Sequence, residues 1–246
     1  MKNMIEQFAF LKLKCSYDEN IEHLSFVNRE EIHGSKTITH KIPIRHLHVN
    51  DNYKTILLCH GIASDIGEYD LKSKSEKFSA NICVFDFAGY GLHSCKVSSE
   101  AHCQKDVIAV YEYLVNEKNI NPNNICIFGR SLGSGIACFL AHHLKDEEKQ
   151  PQKLILVSPL ESAARVVLKN MVSPVDIFMN YVLAPEIKCS TLILHGDKDN
   201  IVPYACGQHL STKFQNLHKF YTLCNCDHVN IYTSEYYSEI NEFLQL

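Results

Sequence analysis

Residues 125–133 read ICIFGRSLG, an apolar run that ends in a G-x-S-x-G string. The apolar run predicts a buried β-strand and the pattern of residues 132–144 predicts an α-helix, so Ser131 lies at the turn between them. Such a turn holds a serine above the sheet in a strained backbone conformation, and the glycines two positions away give it room. The strand before and the helix after, rather than the five letters alone, predict a nucleophile at Ser131.

Short β-rich runs and longer helical stretches alternate from about residue 53 onward. This alternation predicts an α/β protein with a mostly parallel central sheet and helices on both faces. The even alternation within residues 36–49, after a first run at 23–27, predicts antiparallel strands at one sheet edge. The sequence shows no repeat or linker, so we expect a single domain over residues 1–246. The predicted core strands are 55–59, 82–86, 124–128, 153–157, 191–195 and 219–223, and the predicted helices are 69–79, 99–117, 132–144, 205–213 and 234–246.

The composition is that of an ordinary globular protein, with 46% hydrophobic and 21% charged residues. A net charge of -4 without a block of Lys and Arg gives no general attraction for phosphate backbones, so we expect no nucleic-acid partner. The sequence has neither the apolar core of a signal peptide nor a run near the ~20 apolar residues of a spanning helix. The 11 cysteines lie mostly in apolar runs and are predicted to be reduced core thiols. We therefore expect a cytoplasmic protein, with peripheral membrane contact left open.

A serine hydroxyl is a weak nucleophile near neutral pH and needs a neighbouring base, which in turn needs an acid to hold its tautomer. When the serine occupies a strand-to-helix elbow, the acid and then the histidine follow it along the chain. Residues 195–203 read HGDKDNIVP and predict a strand end followed by a turn. We predict that Asp199 in this turn is the acid, with Asp197 as an alternative that suits hydrogen bonding inside the turn.

The histidines between residue 195 and the C-terminus differ in their predicted positions. His228 lies in the loop between the last predicted strand and the last predicted helix, at the carboxyl edge of the sheet, and is the predicted base. Cys224 and Cys226 do not form a zinc spacing with His228, so we expect no metal and no other cofactor. The others, which we expect to be surface imidazoles or satisfied core residues, are His195, His209 and His218.

The oxyanion of a tetrahedral acyl intermediate needs hydrogen-bond donors, commonly backbone N–H groups that require no reorganisation. Leu132 directly follows the nucleophile and is predicted to supply one N–H. Ile62, in the loop after the first core strand, is predicted to supply the second, because Gly61 lets that loop turn close to the site. We expect His60 in the same loop to be structural rather than catalytic.

Residues 159–188 are the one stretch in which we expect a cap over the site, and the stretch is short. A short cap predicts an open site that admits a bulky acyl substrate, small esters or a peptide. The cap residues that are expected either to line an acyl pocket or to pack against the sheet are Val166, Val167, Leu168, Met171, Ile177, Phe178 and Met179.

The motifs LCHG at 58–61, FDFAGYG at 85–91, GRSLGSG at 129–135 and VSPL at 157–160, with residues 195–203, resemble those of the α/β-hydrolase superfamily. Within it, the sequence is similar to the α/β-hydrolase-domain protein depalmitoylases from about residue 32 to the C-terminus. The resemblance implies an α/β-hydrolase fold with a short cap and a serine hydrolase that cleaves a carboxylic ester or thioester through an acyl-enzyme on Ser131. It also implies an acylated protein as a substrate.

Two features depart from the pattern of these depalmitoylases. Their catalytic histidine usually follows a glycine, whereas residues 224–227 read CNCD. We therefore expect Asn225 or Asp227, which tolerate a left-handed backbone, to shape this loop. The depalmitoylases also carry an N-terminal cysteine cluster that is acylated, whereas Cys15 is the one cysteine among the first fifty residues.

Other functions are compatible with the same motifs. The elbow also suits a general short-chain carboxylesterase or a peptidase-like hydrolase. A scaffold of this kind hosts binding proteins as well as enzymes, so a non-catalytic interaction protein is the alternative of a different class. Reaction of Ser131 with a serine-directed probe separates an enzyme from a binding protein.

Overall fold

A computed structural model describes residues 5, 9–11, 14–147, 150–167 and 175–246. Its strands are β1 (Leu24–His33), β2 (Lys36–Leu47), β3 (Thr55–Cys59), β4 (Asn81–Phe85), β5 (Ile125–Arg130), β6 (Lys153–Val157), β7 (Ser190–Gly196) and β8 (Leu217–Leu223). Its helices are α1 (Leu71–Phe78), α2 (Glu100–Glu112), α3 (Gly133–His143), α4 (Ala163–Val167), α5 (Asn180–Leu183), α6 (Tyr204–Ser211) and α7 (Ser234–Gln245). Short 3-10 turns cover Ile66–Glu68, Pro122–Asn124 and Ala184–Glu186.

The strands form one sheet of 8 strands in the order β1-β2-β4-β3-β5-β6-β7-β8. The neighbouring strands from β4 through β3 and β5 to β8 are parallel. In contrast, β1 pairs with β2 and β2 pairs with β4 in antiparallel register. The predicted mostly parallel sheet with antiparallel N-terminal strands is confirmed.

Both faces of the sheet are covered, as the buried strand β3 shows. Leu57 and Cys59 point into one apolar core, which includes residues of α2, α3 and α6. Ile56 and Leu58 point into the other core, to which α1 and α7 contribute. Because successive side chains of a strand alternate between faces, these two clusters are the two sides of the sheet. The carboxyl ends of the parallel strands therefore meet at one open edge, where loops can gather functional groups.

The strand β1 is longer than predicted. The sequence pattern indicated a strand at 23–27, but β1 continues to His33 and pairs with β2 along its whole length. The second half of β1 is polar, so its sequence does not resemble a buried strand. The Nε of the buried Arg29 donates there to the carboxylate of Asp106 at 2.7 Å. The predicted helix 99–117 also divides: α2 ends at Glu112, and Tyr113–Glu117 continue as a π turn.

The cysteines are free thiols, and nine of them are buried, as the sequence predicted. Burial raises the pKa of several of these thiols, for example that of Cys83 to about 12, so they stay protonated and unreactive. No helix among the described residues has the length and apolar character needed to cross a membrane.

Candidate active site

Ser131 occupies a strained turn between the end of β5 and the start of α3. Its backbone is left-handed, with φ of 52°, a conformation that costs energy in a residue with a side chain. A Cβ on Gly129 would lie 2.6 Å from the Cβ of Ala137, and a Cβ on Gly133 would collide with the carbonyl oxygen of Cys59. Both glycines of the elbow are therefore required by the close approach of strand, helix and loop.

Hydrogen bonds hold this turn in place. The N–H of Ser131 donates to the carbonyl of Val157 at 2.9 Å, which continues the sheet ladder. The hydroxyl of Ser134 donates to the carbonyl of Ser131 at 2.6 Å and accepts from the N–H of Leu160 at 3.2 Å. Ser134 is fully buried. The sequence pattern did not predict this role for Ser134, although a second serine one helical turn after the elbow is well placed for the bond.

Asp199 and His228 come together in the loops that follow β7 and β8. The Nδ1 of His228 lies 2.7 Å from the Oδ2 of Asp199, whose side chain is fully buried. The other oxygen, Oδ1, accepts from the N–H groups of Ile201 at 3.0 Å and Val202 at 2.8 Å. Of the two carboxylates considered in the sequence, Asp199 is the one that contacts His228. The Oδ1 of Asp197 is buried and has no partner among the described residues.

The environment keeps Asp199 ionised. Burial of its carboxyl group raises its pKa, but hydrogen bonds from His195 and His228 and the charge of His228 outweigh this effect, so the pKa lies well below its usual value. An ionised carboxylate against Nδ1 fixes the proton of His228 on that nitrogen. The Nε2 is then left as the basic nitrogen.

His195 is a second histidine at Asp199, in a contact that the sequence pattern did not predict. It is fully buried, with its Nε2 3.4 Å from the Oδ2 of Asp199 and 3.0 Å from the carbonyl oxygen of Val202. Both neighbours accept hydrogen bonds, so Nε2 carries the proton. The signal in the sequence was its place at the end of a buried strand, four residues before the acid.

The loop of His228 is linked to the elbow through Arg130. The Nη2 of Arg130 donates to the carbonyl of His228 at 2.8 Å. Asn225 has φ of 57°, so it takes the left-handed position that the sequence assigned to either Asn225 or Asp227. Asp227 instead accepts from the N–H groups of Val229 and Asn230. No direct hydrogen bond joins Ser131 Oγ to His228 Nε2 in the described chain, and such bonds often form fully only in the substrate complex.

The loop after β3 approaches the elbow closely. A Cβ on Gly61 would lie 3.7 Å from the Cβ of Ser131, so the backbone of this loop borders the serine directly. Ile62 and Leu132 line the same pocket as Ser131. Neither of their N–H groups donates to another backbone carbonyl within the described ranges. Ala63 has φ of 56°, which bends the chain just after Ile62.

His60 is structural in its contacts, as expected. Its ring stacks on Phe87 at 3.9 Å between centroids, and its Nδ1 lies 2.8 Å from the carbonyl oxygen of Gly61. Burial lowers the pKa of His60 to about 4, so the ring is neutral. Among the described residues, no group of His, Cys, Asp and Glu could hold a metal ion.

An apolar pocket opens at Ser131. Val166 and Val167 from the cap line it, together with Leu160 and Val202. Ala9, from a segment far from the cap in sequence, also lines the pocket. The buried Ile177 and Phe178 pack into the core, Met179 is exposed, and Leu168 and Met171 lie outside the described residues.

A profile of the family described as serine aminopeptidase, S33, a group of hydrolases, matches residues 50–183, more than half of the chain. The chain belongs to this α/β-hydrolase family. The predicted membership of the α/β-hydrolase superfamily is thereby confirmed, and the protein is a hydrolase by family.

Relatives of this hydrolase come from distant organisms. A protein of Acanthamoeba polyphaga mimivirus described as an alpha/beta hydrolase is 33% identical over 175 residues, which cover 69% of this chain and 65% of the relative. Alpha/beta hydrolase domain-containing protein 17B of Homo sapiens is 29% identical over 165 residues, which cover 65% of this chain and 55% of the relative. The hydrolase thus spans less than two thirds of the length of these curated relatives.

Solved structures share the fold at low sequence identity. Est1E from Butyrivibrio proteoclasticus, solved with ferulic acid bound, superposes with a TM-score of 0.67 and 16% identity. The match covers 84% of this hydrolase and 95% of that chain. This similarity confirms the α/β-hydrolase fold.

Proposed function

We propose that this hydrolase cleaves a carboxylic ester or thioester through an acyl-enzyme on Ser131, with His228 as general base and Asp199 as its orienting acid. One observation carries the proposal. Arg130, directly before the strained Ser131, donates to the carbonyl of His228, whose ring contacts Asp199 at 2.7 Å. The nucleophile's strand and the loops of the acid and base thus converge at one edge of the sheet, in the arrangement that activates a serine.

The reaction has two halves. The Oγ of Ser131 attacks the acyl carbon while Nε2 of His228 takes the hydroxyl proton, and His228 then protonates the leaving oxygen or sulfur as its bond to the acyl carbon breaks. A water molecule, deprotonated by His228, next attacks the acyl-enzyme, and Ser131 recovers its proton as the free acid leaves. The N–H groups of Ile62 and Leu132 stabilise the oxyanion in both halves. These steps use no cofactor.

The apolar pocket supports an acyl chain as the group that Ser131 receives. Its lining is almost wholly apolar, with Ser131 at one side, so a hydrocarbon chain there would hold its carbonyl at the hydroxyl. The resemblance to depalmitoylases adds an S-acylated protein to the substrates to be tested. The free thiols favour a cytoplasmic setting for this activity.

Covalent labelling tests the proposal. A fluorophosphonate probe should label the wild type and Ser234→Ala, whose serine is exposed at the start of α7, but not Ser131→Ala. Turnover of nitrophenyl esters should fall in Ser131→Ala by a factor on the order of 10⁶. Preference for long acyl chains would support a lipid-ester or depalmitoylating enzyme, and preference for short chains a general esterase. A folded wild type that does not react with the probe would leave a non-catalytic binding protein as the better description.

A further inference from the structure

A second pocket, polar and basic, lies beside the elbow. It shares the loop after β3 with the apolar pocket, because Ser64 lines it, two residues after Ile62. We call it the cationic pocket and define it by three cations and three aromatic rings, Lys74, Lys77, Arg130, Tyr69, Tyr232 and Tyr237.

The cations of the cationic pocket lie over tyrosine rings rather than against carboxylates. The Nζ of Lys74 is 5.2 Å from the ring centroid of Tyr69 and 5.3 Å from that of Tyr232. The Cζ of Arg130 lies 5.6 Å from the centroid of Tyr232. Lys77 is likewise 5.3 Å from the centroid of Tyr237. These contacts hold the positive charges together without neutralising them.

The positive charge of the cationic pocket is not compensated. No ion pair within the described ranges joins Lys74, Lys77 or Arg130 to a carboxylate. The pocket includes one acidic residue, Glu68, which is exposed to solvent. Three cations against the exposed carboxylates of Glu68 and of Asp70, whose charge acts on Lys74, leave a net positive site that favours an anion.

Two further observations indicate that a partner is missing. The Nε of Arg130 is buried and donates to no described residue, although Nη2 of the same group is used by His228. Burial, together with the charges of Arg130 and Lys77, lowers the pKa of Lys74 to about 8. A bound anion would satisfy the free donor of Arg130 and raise the pKa of Lys74 back toward its ordinary value.

Arg130 connects the cationic pocket to the reacting atoms. It precedes Ser131, and a Cβ on Gly61 would lie 3.9 Å from Nη1 of Arg130 and 3.7 Å from the Cβ of Ser131. An anion in the cationic pocket and an acyl chain in the apolar pocket would therefore lie on either side of the serine. Ser131 would attack the acyl carbon, and the bond that joins the acyl chain to the anionic part of the substrate would break.

We propose that the cationic pocket binds a phosphate group on the leaving half of the substrate, so that the enzyme selects acyl esters or thioesters whose non-acyl half is phosphorylated. Phosphate fits because it presents several acceptor oxygens and up to two negative charges to one Arg and two Lys side chains. The inference rests on the proposed function, since a leaving half exists only if Ser131 receives an acyl group.

Matched substrate pairs test the inference. One pair is decanoyl-phosphopantetheine against decanoyl-pantetheine, both thioesters, and the other is decanoylglycerol phosphate against decanoylglycerol, both esters. In the wild type we expect the phosphate to raise kcat/KM by about tenfold or more in at least one pair. The pair with the larger gain identifies whether the phosphate comes from a thioester carrier or from a lipid headgroup.

Variants of α1 provide the control. Lys74→Gln and Lys77→Gln should each remove most of the gain that the phosphate gives, and the second residue is exposed, so its replacement should not disturb folding. Lys72→Gln, an exposed lysine of the same helix that lines a different groove, should keep the gain. Equal or better turnover of the unphosphorylated substrate of each pair by the wild type would overturn the inference.

A binding measurement separates this inference from the proposed function. Inorganic phosphate, titrated calorimetrically into the wild type and into Lys74→Gln, should bind the wild type more tightly. Phosphate binding without fluorophosphonate labelling would refute the acyl-enzyme and retain the anion site. Labelling without phosphate binding or phosphate preference would refute the cationic pocket as a substrate site and retain the acyl-enzyme.

Discussion

Two charged regions lie on either side of Arg130: the loops that carry Asp199 and His228, and the cationic pocket. They differ in whether their charged groups have hydrogen-bond or ion-pair partners. The carboxylate of Asp199 is surrounded by two histidines and two backbone N–H groups, so every oxygen has a donor. In the cationic pocket, the partly buried charges of Lys74 and Arg130 have aromatic rings for neighbours, and Arg130 keeps a free donor. A satisfied group keeps one geometry, whereas an unsatisfied one gains most from a ligand.

Among the substitutions that test this contrast, replacement of the acid Asp199 should reduce activity the most. In Asp199→Asn an amide replaces the carboxylate that fixes the proton of His228 on Nδ1, so we expect kcat for nitrophenyl esters to fall by a factor of about 10⁴. Asp197→Asn is the matched control and should have a mild effect, because Asp197 contacts neither histidine in the described chain. Circular dichroism should show both variants folded. A severe loss in Asp197→Asn with near-normal activity in Asp199→Asn would reverse the assignment of the acid.

Replacement of His195, the second histidine at Asp199, should reduce activity by a smaller factor. His195→Phe keeps a ring against Tyr204 but removes the donor to Asp199, so we expect kcat/KM to fall by about 10- to 100-fold. The carboxylate then interacts more strongly with His228, and the acid limb of the pH profile should move to higher pH. His195→Gln, which restores an N–H donor, should recover part of the activity. An unchanged pH profile with lower activity would make His195 a packing residue and not a positioning residue for Asp199.

The sequence predicted the regular and local parts of the molecule best. The strands β3 and β6 begin and end at the predicted residues because each is a short, fully buried run. The second half of β1 was missed, since its residues are polar and the buried Arg29 finds its partner in Asp106, which lies 77 residues along the chain. Local patterns carry no information about such partners.

The two regions beside Arg130 differ in the same way in how far the sequence predicts them. The elbow, the acid turn and the last loop each have a local signature, so their residues could be named from the sequence. The gathering of Lys74, Arg130 and Tyr232 depends on where three separate segments fold. The contact of His195 with Asp199 joins residues that are close in the chain, but it depends on how the turn between them folds. Ala9 at the apolar pocket is a similar case, since it reaches the pocket from a segment far from Ser131 in the sequence. Function that arises from packing between distant segments needs the structure.

The smallest expected effect is the one that Lys74 of the cationic pocket has on the free energy of unfolding of the protein. The pKa of Lys74 falls to about 8 on folding, so between that value and its ordinary value near 10.5 the unfolded chain binds more protons than the folded one. Stability should therefore rise with pH across this window, and the penalty is fully present at pH 7. Lys74→Met should raise the free energy of unfolding at pH 7 by about 1–3 kcal/mol, measured by urea titration, whereas the exposed Lys72→Met should change it little.

Bound phosphate should also raise the free energy of unfolding of the wild type, because it would compensate the charge of Lys74. A ligand that binds the folded state alone stabilises it in proportion to the logarithm of its concentration, so added phosphate should stabilise the wild type more than Lys74→Met. Destabilisation in Lys74→Met would mean that Tyr69 and Tyr232 already compensate the charge of Lys74. The contrast with Asp199 would then disappear, because both sides of Arg130 would hold satisfied charges. A stability gain together with loss of phosphate binding would instead show that this hydrolase gives up stability to keep an anion site beside Ser131.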